Sequence, residues 1–178
     1  SNSDRLKSLI SQVSDWNEFT RLINEHGIIA LAAYNIEEAN LEKLVPPSAM
    51  KVIRNGKLQS VARNIWLSER WKEVNEILSG KGIKHILLKG MALEHTLYEG
   101  KGLRQMTDND ILISSTHAIK AWEILAENGF VQFGIKSPLH RNLMFDGGHH
   151  LPALVKDGYQ IEIHTEKDVF DFNENELF

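Results

Sequence analysis

Residues 84–113 read KHILLKGMALEHTLYEGKGLRQMTDNDILI, and the fold is decided there. Lys84 to Leu88 is a short apolar run bounded by glycine, which reads as a buried strand. Lys89-Gly90 is a turn, Met91 to Tyr98 a helix, and Thr107 to Ile113 a second strand. Toward the C-terminus, Ser114 to Thr116 offers caps for a helix through Ile119, Trp122 and Leu125, which Asn128-Gly129 stops. Phe130 to Phe133 reads as a third strand and Leu143 to Phe145 as a further one. Leu151 to Val155 and Tyr159 to His164 flank Lys156-Asp157-Gly158, a hairpin turn.

Toward the N-terminus the period is different. Trp16, Phe19, Leu22 and Ile23 recur at helical spacing, with Asp15 as N-cap and Gly27 as the stop. A second helix follows through Ile28 to Ala39, and Pro46-Pro47 is a break. Val61, Ile65, Leu67, Trp71, Val74 and Leu78 mark a long amphipathic helix that Gly80 and Gly82 close. The expected architecture is α+β: a helical lead-in over residues 1–80, then a mixed sheet flanked by helices over 81–178.

Composition sets bounds on what such a chain does. It has 178 residues, 42% of them hydrophobic and 25% charged, which suits a soluble globular protein with a sizeable core. A net charge of -4 argues against a strong general pull toward nucleic acid. The absence of cysteine removes disulfides, thiolate zinc sites and cysteine nucleophiles, and is in keeping with a reducing, cytoplasmic compartment. The longest apolar stretch, Ile28 to Tyr34, is too short to span a bilayer, so no membrane partner is expected. Ser1-Asn2-Ser3 reads as a cleaved-tag remnant, and the acidic end from Asp171 to Phe178 reads as a cut short of further native chain.

Three groups of residues carry chemistry. Asp108 and Asp110 flank Asn109 at the entrance of the run Ile111-Leu112-Ile113. Alternation along a strand points both carboxylates to one face, with Asn109 facing away. Paired carboxylates repel, and a hard divalent cation is the usual remedy. A pair of turn or capping aspartates is the plainer reading of the same residues. The second group is Glu162, which alternates with Ile161 and Ile163. Gln160, Glu162 and His164 share one face, and a solvated hairpin face is the plainer reading there. The third is the strand-glycine-helix turn at Lys89, Gly90 and Met91, where helix N–H groups and a positive dipole end favour phosphate. Arg104 is a further cation suited to phosphate.

Taken in order, LLKGMAL, Tyr98, Arg104, the DND-ILI run, a helix ending in Asn-Gly-Phe, and IEIH resemble the uncharacterised nucleotidyltransferase family of the polymerase-β superfamily. The helical lead-in with tryptophan and the proline break share that resemblance, so it covers most of the chain. It implies a nucleotidyltransferase-type mixed sheet and transfer of a nucleoside monophosphate from a nucleoside triphosphate to an acceptor hydroxyl. It implies Mg²⁺ or Mn²⁺ held by Asp108, Asp110 and Glu162, which would be the catalytic residues. Lys89, Gly90, Met91 and Arg104 would hold the nucleotide, and His164 would orient Glu162, contact the acceptor, or be structural. Two departures stand out: Met91 replaces the serine that follows the glycine in the wider superfamily, and Asn109 replaces an apolar residue.

The acceptor is open among small molecule, protein and RNA. Alternatives to transfer are an inactive nucleotide- or partner-binding module on the same fold, and a metal-dependent glycosyltransferase, which has no evident use for Glu162. A histidine metal site from His140, His149, His150 and His164 is disfavoured, because neighbours in an extended chain point apart. The carboxylate reading also carries an energetic expectation: clustered carboxylates without a cation strain the fold, so Asp110→Asn should leave the metal-free protein equally or more stable.

Overall fold

A computed structural model describes residues 2–134 and 151–165 of the chain. Its elements run α1 (Asn2–Ile10), α2 (Trp16–Glu25), α3 (Ile29–Glu38), a 3-10 turn (Glu42–Leu44), α4 (Pro47–Gly80), β1 (Ile86–Leu87), α5 (Lys89–Thr96), β2 (Asn109–Leu112), α6 (Ser115–Glu127), β3 (Val131–Gln132), β4 (Leu154–Lys156) and β5 (Tyr159–His164). The architecture is a mixed α+β one with a five-stranded sheet in the order β1-β2-β5-β4-β3. The candidate strand Leu143 to Phe145 lies outside the described residues.

Local chemistry explains most of the boundaries. Asp15 caps α2, its Oδ1 accepting from the N–H groups of Asn17 at 2.9 Å and Glu18 at 3.0 Å. Ser114 caps α6 by accepting from the Thr116 N–H, and Asn128 with Gly129 in the left-handed region ends it. One boundary differs from the sequence reading. Pro46-Pro47 does stand between helices, but α4 has 34 residues and starts at Pro47 itself, ahead of the apolar spacing that begins at Val61. A proline lacks the N–H that a first helical position leaves unbonded anyway, so it starts helices well.

The chain forms two compact units, divided within α4 at Ile65. The first comprises Ser1–Ile65 with Glu94–Met106. Its core joins Ile10, Ile23, Ile29, Ala33, Ile36 and Ile53, with Trp16 packed edge-on against Phe19. The loop after α5 is tied down within this unit. Ser60 Oγ donates to the Gly102 carbonyl at 2.8 Å, and Asn64 Nδ2 to the Arg104 carbonyl at 2.8 Å. Buried Glu94 accepts from the Gly102 N–H. Gly102 has φ +69, and a Cβ there would lie 2.6 Å from the Val61 Cα, so only glycine fits.

The second unit, Trp66–Leu93 with Thr107–Phe178, holds the sheet. β2 and β5 pair in parallel, and every other pairing is antiparallel. The hairpin between β4 and β5 turns on Asp157 (φ 50) and Gly158 (φ 79), the two-residue turn whose twist matches the strands. Lys156, paired with Tyr159 at the strand end, reaches Glu73 of α4 at 2.6 Å and the Asn128 carbonyl at 2.9 Å. Trp66 meets Tyr159 edge-on, and Trp122 Nε1 donates to the Pro152 carbonyl at 2.7 Å. The run Lys84 to Leu88 is not a buried strand. Ile86 and Leu87 form the strand, at the end of the strand order, the Leu88 N–H donates to the Asp110 carbonyl at 2.9 Å, and Ile86 is 37% exposed. A short apolar run marks a strand without saying whether both its sides are covered.

Candidate active site

The site is assembled by the parallel pairing of β2 with β5. The register sets Asp110 opposite Glu162, Asn109 opposite Ile161 and Leu112 opposite His164. Alternation then separates the faces. Tyr159, Ile161 and Ile163 are buried in the core, while Gln160 and Glu162 are half-buried on the other side. Asn109 follows the core side, as its parity requires, and donates from Nδ2 to Tyr159 Oη at 2.9 Å. Burial drives the Tyr159 phenol well above its usual pKa, with Glu73 pushing the same way and the Asn109 amide opposing.

Among the described residues, Asp110, Glu162 and His164 offer ligand atoms that all lie within 4.8 Å of one another. His164 Nε2 is 2.8 Å from Asp110 Oδ1 and 3.9 Å from Glu162 Oε2. Gln160 Nε2 donates to Glu162 Oε1 at 3.1 Å and so fixes one oxygen of that carboxylate. Two carboxylates and one imidazole form a donor set that suits a divalent ion of the Mg²⁺ or Mn²⁺ kind, with the imidazole widening it toward later transition metals. Imidazole binds a metal through an unprotonated Nε2, which requires its proton on Nδ1.

Lys89 completes the cluster. Its ammonium donates to Asp110 Oδ1 at 2.7 Å and stands 3.3 Å from His164 Nε2. Burial alone would raise the Asp110 pKa, but the hydrogen bonds from His164 and Lys89, with their charges, outweigh it and hold the carboxyl below its usual range. The carboxylate is therefore stabilised as an anion within the protein itself. The expectation of an uncompensated, strained cluster is corrected by this ammonium, which the sequence reading assigned to phosphate alone.

Asp108 precedes β2, half-buried, with its Oδ1 accepting from Thr107 Oγ1 at 3.2 Å, and it is not in the group of converged ligand atoms. Parity argues only along paired, extended backbone, and that begins at Asn109. Gly90 is buried inside α5 and does not have the turn's left-handed conformation; Lys89 does, at φ 46. The first N–H groups of α5 lack intrahelical acceptors, as in any helix, and remain suited to an anion. Met91 is 1% exposed, with Ser68 Oγ 3.6 Å from its sulfur, so it serves the core. Arg104 belongs to the first unit and is half-buried. His140, His149 and His150 lie outside the described residues.

Gln160 and His164 are the residues that sequence reasoning undervalued. Their signal was the shared face with Glu162. What it lacked was the strand order, which alone places that face beside Asp110. In a comparison with protein families, the model of one described as uncharacterised nucleotidyltransferase matches residues 12–171. No curated protein matches the chain.

Proposed function

The chain belongs to that uncharacterised nucleotidyltransferase family, and from this premise we propose that it moves a nucleoside monophosphate from a nucleoside triphosphate to an acceptor hydroxyl, releasing pyrophosphate. The observation that carries the reading is the parallel register of β2 and β5, which sets Asp110 beside Glu162 with His164 in reach of both. Asp110 and Glu162, with His164, would hold a divalent cation, and Asp108 would add a third carboxylate at the mouth of β2. When bound, Mg²⁺ or Mn²⁺ would neutralise triphosphate charge and make the acceptor oxygen a better nucleophile.

The protein's own groups supply the rest. Lys89 and the N–H groups at the start of α5 bind phosphate oxygens. The acceptor oxygen forms a bond to the α-phosphorus as the bond to the bridging oxygen of the β-phosphate breaks, and pyrophosphate departs with that electron pair. Glu162, whose Oε1 is held by Gln160, both holds the cation and receives the acceptor's proton. The buried Met91 favours a second reading, a nucleotide-binding module without turnover, since no hydroxyl follows Gly90 to grip the triphosphate.

Calorimetry with a nonhydrolysable triphosphate and Mg²⁺, paired with a pyrophosphate-release assay, tests both. Transfer predicts Mg²⁺-dependent binding and release in the wild type, with both lost in Asp110→Asn and Glu162→Gln. Binding without release in any triphosphate selects the module. Triphosphate binding that ignores both substitutions removes the site from these strands.

A further inference from the structure

We propose that Lys89 is a tethered counter-ion, which holds the cation position of this site and gives it up when a divalent ion and a triphosphate arrive. The inference rests on the metal reading above and adds a regulatory contact that the reading does not require.

A neutral imidazole nitrogen has one lone pair. His164 Nε2 stands 2.8 Å from Asp110 Oδ1 and 3.3 Å from Lys89 Nζ, so it either donates a proton to Asp110 or accepts one from Lys89. In both cases its lone pair is unavailable to a cation. Asp110 Oδ1, meanwhile, is already hydrogen-bonded by the ammonium at 2.7 Å. Two of the site's candidate ligand atoms are thus engaged by one another and by Lys89. A divalent ion next to a fixed ammonium on the same oxygen would also meet strong like-charge repulsion.

The contact is built to be released. The Lys89 side chain is 55% exposed although Asp110 is only 8% exposed, so the anion is fixed and the cation sits on a flexible stem at the water's edge. An ion pair open to solvent on one side is weak, which makes displacement easy. The freed ammonium remains anchored at the first residue of α5, where a triphosphate would lie. One lysine then serves the carboxylates without ligand and the phosphates with it. This gives removal of Lys89 opposite effects on two ligands: free metal should bind better and the metal–triphosphate complex worse.

Mn²⁺ alone is the first probe, with free ion measured by electron paramagnetic resonance in wild type, Lys89→Met and Asp110→Asn. Lys89→Met should bind Mn²⁺ roughly two- to fivefold more tightly than wild type, the span expected for relieving a half-exposed pair. Asp110→Asn should bind it more weakly than either. The second probe needs no substitution. Acetylation of Lys89 in the wild type, followed by mass spectrometry against exposed Lys120, should speed up on adding Mg²⁺ and slow again on adding a nonhydrolysable triphosphate. If the wild type binds Mn²⁺ and Lys89→Met binds it equally or less well, the counter-ion role is overturned while the metal site stands. If neither binds Mn²⁺, the metal reading itself fails and takes this inference with it. Acetylation of Lys89 that does not respond to Mg²⁺ while Mn²⁺ binds also overturns it.

Discussion

Asp110→Asn exposes the site's energetics most directly, because two views of the same residue predict opposite signs. Clustered carboxylates alone would be relieved by losing a charge. The geometry says the reverse: the buried Asp110 carboxylate accepts from Lys89 at 2.7 Å and from His164 at 2.8 Å, and its pKa is held below the usual range. Asparagine at this position loses the charge and, in one orientation, turns an amide donor toward the ammonium. Hydrogen bonds to charged groups contribute about 1.5–3 kcal/mol each when buried. The Lys89 side is half-exposed and must be discounted. A net loss of about 2 kcal/mol follows, or about 4–8 °C in melting temperature for a chain of this size. The pH dependence fixes the cause. A depressed folded-state pKa gives stability that is present above the ordinary aspartate value of about 3.9 and fades as pH falls through the lower folded value. The gap between wild type and Asp110→Asn should therefore be full at neutral pH and shrink below about pH 4. Millimolar Mg²⁺ should raise the wild-type melt by an amount set by occupancy, about 1.4 kcal/mol at ten times the Kd, and leave the variant almost unmoved. Thermal melts at pH 7 and pH 3.5, with and without Mg²⁺, read all of this. Equal or greater stability of Asp110→Asn at pH 7 without metal would refute the claim that Lys89 and His164 compensate the carboxylate.

Two further substitutions test the frame around the site. Gly102→Ala should cost at least about 2 kcal/mol, since it combines a left-handed backbone with a Cβ 2.6 Å from the Val61 Cα, whereas Gly80→Ala meets open space and should be neutral or stabilising; chemical denaturation of both decides it, and similar midpoints would refute the close approach. Tyr159→Phe should cost about 1 kcal/mol at neutral pH by stranding the Asn109 amide. It should also abolish part of the alkaline destabilisation: a phenol held protonated by burial loses stability above the unfolded value of about 10, at up to about 1.4 kcal/mol per pH unit. Identical alkaline slopes for the two proteins, measured from pH 9 to 11, would count against it.

Features settled by near neighbours were readable from the chain, and those settled by strand order were not. The Asp15 and Ser114 caps, the stop at Asn128-Gly129 and the Asp157-Gly158 turn each depend on a side chain meeting backbone within a few residues. So does the separation of Ile161 and Ile163 from Glu162, which is parity within one strand. The start of α4 at Pro47 carries apolar residues at helical spacing only as far as Ile53, short of the run that begins at Val61. Gly56 and Ser60, in between, serve close packing and a hydrogen bond, which leave no hydrophobic signal. The edge position of β1 and the meeting of His164 with Asp110, 54 residues away, depend on which strand lies beside which. Asp108 marks the limit of parity itself: the rule holds only where the backbone is paired, and pairing begins one residue later.

The turn before α5 shows how one residue of register shapes the whole site. A left-handed residue is needed there, and Gly90 would take that conformation without steric cost. The protein instead places it at Lys89, φ 46, where a residue with a Cβ gives up about 1 kcal/mol or more. Each helical residue is rotated about 100° from the next, so moving the turn by one position would redirect every side chain of the first helical turn. With the turn at Lys89, the lysine reaches Asp110 and Met91 enters the core. With the turn at Gly90, neither direction would be kept. Local strain persists where surrounding contacts hold it in place, and here the firm contact is the buried Met91 side chain, with the Lys89–Asp110 pair beside it. The backbone outlier, the ammonium on Asp110 and the burial of Met91 are thus one feature of the chain, and a substitution that relaxes the turn should disturb the other two together.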